Sequence, residues 1–400
     1  MSKKICLIVI FVFLISGCAS VVRHAVPEGL INNAQISGMP DIRALGGSPN
    51  YSFKKDFAEL LEKAQKNGSF LSRFNTVQVY SVLAISGGAA YGAYGAGLLN
   101  GWSESGTRPV FKVVTGISTG AIIAPFAFLG RRYDQRLKEF YTQHSTKDVM
   151  RIRFPRFKIP FSNSVATTWP LEQLIEKYFD ADLLKEIAIE YNKGRRIYVG
   201  TTNLDAERLV IWDMGKIASI GDEKALRLFR KIILASAAVP VAFPPVYFKS
   251  VVNDKEYDEM HVDGGMSKQV FFIYDVLQGF DRALKEKGVD SSRKKYAIYV
   301  IKNGYADPIY KEIPDNLFAI AERALDSMTN AQSLGDLYQL YTFAERQKGG
   351  FYLASVPVTY VSQSKEAFDP VEMCRLFDLG FKQAVRGYPW RKAPPGIQEE

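Results

Sequence analysis

The stretch Phe111-Lys112-Val113-Val114-Thr115-Gly116-Ile117-Ser118-Thr119-Gly120-Ala121-Ile122-Ile123-Ala124-Pro125-Phe126-Ala127 decides how the chain is read. Its first five residues are mostly apolar or β-branched, the composition of a buried strand, and its last seven are apolar and mostly small, the composition of a buried helix. Between them Gly116 and Gly120 bracket Ser118. A sharp strand-to-helix turn needs glycines for clearance. It lifts the serine oxygen above the edge of a sheet, at a helix N-terminus that favours negative charge. The pentapeptide alone is weak, because Gly and Ser abound in turns. Its flanking strand and helix make Ser118 a candidate nucleophile.

Working outward, the same order of elements recurs. A buried strand is expected over residues 77–85, followed by a glycine-rich turn and helix (87–102), the strand 111–115 and the helix 118–129. Strands follow at 196–202, 209–212 and 296–301, with a helix at 223–235. Two long helical patterns, 314–347 with a break and 370–385, bracket a strand-like run at 351–360. Strands alternating with helices predict an α/β class fold, a sandwich around a mostly parallel sheet, with reactive groups at the carboxyl ends of its strands.

The run Ser86-Gly87-Gly88-Ala89-Ala90-Tyr91-Gly92-Ala93-Tyr94-Gly95-Ala96-Gly97 follows the first strand. Gly92, Gly95 and Gly97 are spaced G-x-x-G-x-G, which is not the dinucleotide fingerprint G-x-G-x-x-G, so no nucleotide cofactor is expected. The backbone N–H groups of Gly87, Gly88 and Ala89 suit an oxyanion hole, where one pre-aimed donor contributes about 3 kcal/mol. Close packing of Ala93, Ala96 and Gly97 against the sheet is compatible with that role. A base for Ser118 is harder to find. Of three histidines, His24 lies near the N-terminus, His144 in a polar segment, and His261 two residues before Asp263. An α/β-hydrolase places its histidine late, yet none follows His261. The alternative is Asp263 in His261-Val262-Asp263-Gly264-Gly265, a carboxylate that takes the serine proton where burial raises its proton affinity.

Together with Ala235-Ser236-Ala237-Ala238-Val239-Pro240-Val241-Ala242-Phe243-Pro244-Pro245, these blocks resemble the patatin-like phospholipase family. The resemblance implies a three-layer α/β/α sandwich, Ser118 as nucleophile, Asp263 as base, Gly87, Gly88 and Ala89 as oxyanion donors, a lipid ester as substrate, and no metal or cofactor. It covers about residues 77–306, extending toward 360. The family's loop commonly reads D-G-G-G-x-[RK]-G, whereas Ser86, Ala89 and Tyr91 stand here at the acid, third-glycine and cation positions. That departure makes an ester better supported than a phosphate headgroup. It also motivates a competing reading, a non-catalytic lipid-binding or scaffold protein on the same fold.

The N-terminus sets the compartment. Lys3 and Lys4 precede an apolar run from Ile5 to Ile15, too short to span a bilayer and typical of an export signal. The signal ends in Leu14-Ile15-Ser16-Gly17-Cys18, which resembles a bacterial lipobox. A lipidated Cys18 with two or more acyl chains would anchor the protein firmly. Ala19, rather than Asp, after the cysteine implies outer-membrane sorting, facing the periplasm. Residues 1–17 are thus read as signal, 18–75 as tether and leading helix (Phe57, Leu60, Leu61 and Ala64 at helical spacing), 76–360 as the hydrolase domain and 361–400 as a helical extension. The composition, 47% hydrophobic with a net charge of +9, is that of a folded chain with an affinity for anionic surfaces. No nucleic-acid motif is present, so membrane lipid is the expected partner. The most basic stretch, Arg151 to Lys158, alternates cations with apolar residues. It reads as a half-buried strand, or alternatively as a loop resting on headgroups.

Overall fold

A computed structural model describes residues 23–47, 78–153, 162–272 and 294–397. The export signal, Cys18 and the leading helix around Phe57 lie outside these residues. In chain order the described strands are β1 (Gln35–Ile36), β2 (Arg43–Leu45), β3 (Gln78–Ile85), β4 (Val113–Ile117), β5 (Arg151–Ile152), β6 (Ala166–Thr167), β7 (Arg196–Asn203), β8 (Arg208–Asp213), β9 (Val246–Val252), β10 (Lys255–Asp263), β11 (Lys294–Lys302) and β12 (Gly350–Ser355). The helices are α1 (Gly92–Glu104), α2 (Thr119–Leu129), α3 (Asp134–Thr142), α4 (Thr146–Val149), α5 (Trp169–Tyr178), α6 (Ala181–Asn192), α7 (Met214–Ile220), α8 (Glu223–Ser236), α9 (Leu317–Arg346) and α10 (Pro370–Val385).

Ten strands form one sheet. Its path is β1-β9-β10-β7-β4-β3-β11-β12, with β8 on the far edge of β7 and β2 beyond it. From β7 to β12 all neighbours are parallel. The strands β1, β2, β8, β9 and β10 join by antiparallel pairing. Alternation along β3 explains the layering, since successive side chains of a strand face opposite sides. Leu83 and Ile85 enter the large core beneath α1, α2, α3, α5, α8 and α10. Ala84 faces the other way, into a second core with Leu337, Leu340 and Phe343 of α9. The result is the expected α/β/α sandwich.

Several boundaries differ from the sequence reading. In the expected turn and helix over 87–102 the helix itself starts at Gly92 and runs on to Glu104, because Gly88 (φ 148°) and Ala89 (φ 47°) hold non-helical backbone in the turn. The pattern expected over 314–347 with a break is one unbroken helix, α9 (Leu317–Arg346), whose N-terminus is capped by Asn316 Oδ1 accepting from Ala319 N–H at 3.0 Å. The strand expected over 351–360 stops at Ser355, ahead of Pro357. Within the expected tether, residues 23–47 are described and join the sheet: β1 pairs with β9 and β2 with β8, giving partners to strand edges that would otherwise be open. The helix expected within 361–400, α10, contributes Met373, Leu376 and Phe377 to the main core. α10 packs on α1 so closely that a Cβ at Gly97 would stand 1.9 Å from Phe377 O.

This contact makes a paired prediction. Gly97→Ala should cost roughly 3 kcal/mol through overpacking. Gly335→Ala, at an exposed position in α9 with no atom within 4 Å of the added Cβ, should stabilise by about 1 kcal/mol. Urea unfolding of the two variants against the parent measures both signs.

Candidate active site

The site is built on one edge of β7. β4 occupies that edge along Arg196–Gly200, ending with Ile117 opposite Gly200. β10 arrives antiparallel and takes the next positions, with Asp263 opposite Thr201. β8 fills the other edge along Tyr198–Asn203, so β4 and β10 meet end to end. Ser118 leaves one strand tip and Asp263 closes the other. The junction is stitched by Ser236, whose Oγ–H donates to Gly200 O at 2.7 Å while its oxygen accepts the Ser118 N–H at 3.0 Å.

Ser118 holds φ 55°, ψ −123° at the N-cap of α2, a region costing a non-glycine residue on the order of 1–3 kcal/mol. Its neighbours explain how the turn closes. A Cβ at Gly116 would lie 2.2 Å from Gly120 O, and one at Gly120 would lie 2.3 Å from Ile85 O. Thr119, next along, bonds through its hydroxyl to Tyr141 of α3.

Asp263 is buried, and its carboxylate accepts the Gly265 N–H at 2.7 Å and a hydrogen bond from Ser118. Burial pushes its pKa up to about 6, against the partial opposition of those two hydrogen bonds. Gln269 braces the turn behind it: Nε2 donates to Gly265 O at 2.6 Å, and the Gln269 N–H donates to Asp336 of α9 at 2.8 Å. Gln269 and Ser236 are the positioning residues that sequence patterns missed. Ser236 was visible within its block of small residues, though without a role; Gln269 had no signal.

The glycine-rich loop approaches the serine directly, with the Cβ position of Gly87 3.1 Å from Ser118 Cβ. Its three expected donors are not equivalent. The Gly87 N–H is engaged by Gln269 O at 3.3 Å. Gly88 is fixed as glycine by its φ of 148° and by Asn303 O, 1.8 Å from where a Cβ would stand. Ala89 keeps its N–H but adopts φ 47°, a left-handed conformation that glycine would hold without strain. Ser86, at the acidic position of the family pattern, pins the loop: its Oγ accepts the Asn303 N–H at 2.9 Å and donates to Gly87 O at 2.7 Å. Tyr91 turns to Tyr305, with hydroxyls 3.4 Å apart.

His261 is excluded as the base by its bonding. Thr201 Oγ1 accepts from Trp212 Nε1–H at 2.8 Å and pairs with His261 Nδ1 at 2.8 Å, donating to it when the ring is neutral with its proton on Nε2. His261 Nε2–H then donates to Glu259 at 3.2 Å. Burial lowers the imidazole's proton affinity and keeps it neutral, although Glu259 opposes this. Burial also works against the Glu259 charge, but His261 and the Arg43 fork, at 2.9 and 2.6 Å, hold it ionised. Both ring nitrogens are therefore committed away from Ser118.

An apolar cavity of about 70 Å³ reaches Ser118, walled by residues including Ile122, Leu171, Leu174, Val239, Phe243 and Met373. Phe126, Phe128 and Leu129, which follow on the same helix, belong to the core rather than to this wall, Phe126 packing on Phe179. A larger cavity of about 520 Å³ between β8 and α9 has neither Ser118 nor Asp263 in its wall. Among the described residues no group of His, Cys, Asp and Glu is arranged to hold a metal ion.

With this geometry in place, the matched family becomes informative. Residues 83–274 match the family model described as patatin-like phospholipase. The chain carries a patatin-like phospholipase domain. The match spans the glycine loop, the serine elbow and the Asp263 turn, and lipid hydrolysis is the activity that family suggests. The patatin-like domain is also similar to a cUMP-AMP-activated phospholipase of Escherichia coli, 31% identical over 122 residues, covering 30% of this chain and 35% of that protein. The chain thus spans about a third of that relative's length. Two solved structures align at 12% identity. VipD from Legionella pneumophila aligns over 77% of this chain and 66% of its own, with a TM-score of 0.35. ExoU of Pseudomonas aeruginosa, solved in complex with SpcU, aligns over 78% of this chain and 52% of the solved chain, with a TM-score of 0.19.

The raised pKa has a consequence for stability. Because the folded carboxyl binds its proton more tightly than an ordinary Asp at 3.8, Asp263 favours the fold below that value, and this contribution is lost as pH rises through about 6. Asp263→Asn removes the cost of a buried charge while keeping the oxygen that accepts from Gly265. It should raise stability at pH 7.5 by roughly 3 kcal/mol and hardly at all at pH 4, as read by denaturant unfolding at both values.

Proposed function

We propose that the patatin-like domain is a serine acyl hydrolase of carboxylic esters of lipids, working through a Ser118–Asp263 dyad. The observation that carries this reading is the buried carboxyl of Asp263, poised near pH 6 and hydrogen-bonded to a serine held at the tip of a strained turn. Asp263 takes the Ser118 proton as Oγ attacks the ester carbonyl carbon. The N–H groups of Gly88 and Ala89 receive the oxyanion at the N-terminus of α2. As the carbon–oxygen bond breaks, Asp263 returns the proton to the leaving alcohol. Water, deprotonated by the same carboxylate, then releases the acid and restores Ser118. The small cavity must widen to admit a long acyl chain, since ligand sites generally measure at least about 300 Å³. The family's headgroup-binding cation has no counterpart at Tyr91, so the proposal is for the ester bond rather than for a particular headgroup. Within the cell, Cys18 is proposed to carry the lipid anchor, placing the domain at the outer membrane, facing the periplasm.

Ser118→Ala and Asp263→Asn should each lower short-chain ester turnover by at least about a thousandfold. Because the base acts when ionised, kcat/KM of the parent should rise tenfold per pH unit below about 6 and level off above it. Covalent capture by a fluorophosphonate probe at Ser118 separates this reading from a non-catalytic lipid-binding scaffold, which would remain unlabelled. Parental turnover in either variant would sink the dyad.

A further inference from the structure

The basic, apolar stretch that starts at Arg151 plays no part in the chemistry above, and of its described portion only Arg153 is half-buried. β5 and β6 form a separate ribbon pairing Arg151 with Thr167 and Ile152 with Ala166, and Arg151 and Ile152 are both exposed. This ribbon is tied to the lip of the Ser118 cavity. Val165 N–H donates to Val241 O at 2.8 Å and Ala166 N–H to Ala242 O at 2.9 Å, between Val239 and Phe243 of the cavity wall. Trp169 opens α5, whose Leu171 and Leu174 belong to the same wall.

Three of the side chains that this lip turns outward are apolar. Val241 is 73% exposed, Trp169 57% and Ile152 42%. Val241 also holds φ 71°, a conformation that is an outlier for a β-branched residue and that clusters at functional sites. A valine both strained and held in water is doubly unfavourable unless something covers it. The cations choose the cover. The Arg151 guanidinium stands 5.8 Å from the centre of the Trp169 ring, and Arg153 lies next to Ile152, held by Ser164 and Ala166. Arginine beside an exposed tryptophan and aliphatic groups is the set that settles at a headgroup boundary, the cation at the phosphates and the apolar groups beneath. This surface is continuous with the apolar wall leading to Ser118. We propose that Ile152, Trp169 and Val241, with Arg151, form a docking surface for an anionic phospholipid bilayer that seats the mouth of the Ser118 cavity on the membrane. Its catalytic consequence rests on the acyl-hydrolase reading; the binding itself does not.

The test uses the full chain carrying Cys18→Ala, so that no attached acyl chain contributes. It is mixed with vesicles of phosphatidylcholine, alone or with phosphatidylglycerol, and followed by co-sedimentation and by quenching of tryptophan fluorescence with brominated acyl chains. Binding should favour the anionic vesicles, and the quenching should disappear in Trp169→Phe. Combining Ile152→Ser, Trp169→Ala and Val241→Ser should weaken binding at least about thirtyfold, and Arg151→Glu by about fivefold with a shallower salt dependence. The triple variant should keep parental fluorophosphonate labelling and soluble-ester turnover while losing hydrolysis of vesicle lipid. Undiminished vesicle binding by the triple variant overturns the proposal, as does equal loss on soluble and vesicle substrates or binding indifferent to phosphatidylglycerol. A parent that binds anionic vesicles but neither labels nor turns over ester refutes the hydrolase reading and supports the docking surface.

Discussion

Two strand ends meeting on one edge of β7 set the conditions for everything else in the site. β4 must stop at Ile117 so that β10 can take the next position on that edge, and a chain ending a strand there has to leave at once. The glycines at 116 and 120 permit that exit by letting backbone pass within contact of backbone. Ser118 bears the resulting strain, and Ser236 satisfies backbone groups that the interrupted ladder leaves behind. The same junction brings Asp263 into the interior, where scarce solvent raises its proton affinity into the range of a useful base. Geometry and acidity thus share one cause.

The parallel half of the sheet was legible because its central strands, β4 and β7, are buried along their whole length and read as largely apolar runs. β3, β4, β7, β8, α2, α8 and α10 fall within a few residues of their expected positions. β9 and β10 were not legible. In β10 the run from Lys255 to Glu259 is mostly polar in sequence, exposed at its start and half-buried in its middle, and Glu259 is buried only through its ion pair with Arg43. β1 and β2 are two and three residues long, and their pairing depends on partners about two hundred positions away. No local pattern encodes such contacts.

The site was readable to a similar degree. Ser118 and Asp263 carry distinctive neighbours, and the structure brings them together. The glycine-rich loop was legible at the level of residues but not of atoms: Gly87 spends its N–H on Gln269, a partner 182 positions away. The substitution at Ser86 illustrates the same limit. From sequence it is a missing acid. In the fold its small hydroxyl ties the loop to the continuation of β11 through Asn303, a role visible only once β3 and β11 lie side by side.

The edge strands contributed by the N-terminal segment have a mechanical meaning. A pull on the chain from that end is taken up where β1 lies along β9, where β2 lies along β8, and where Arg43 grips Glu259. Paired strands resist sliding through several hydrogen bonds at once, and these lie outside the parallel strands that bear the serine elbow. The segment is thus fastened to the antiparallel strands of the sheet at several points, and a pull from the N-terminal side meets β9 and β8 before it meets β4.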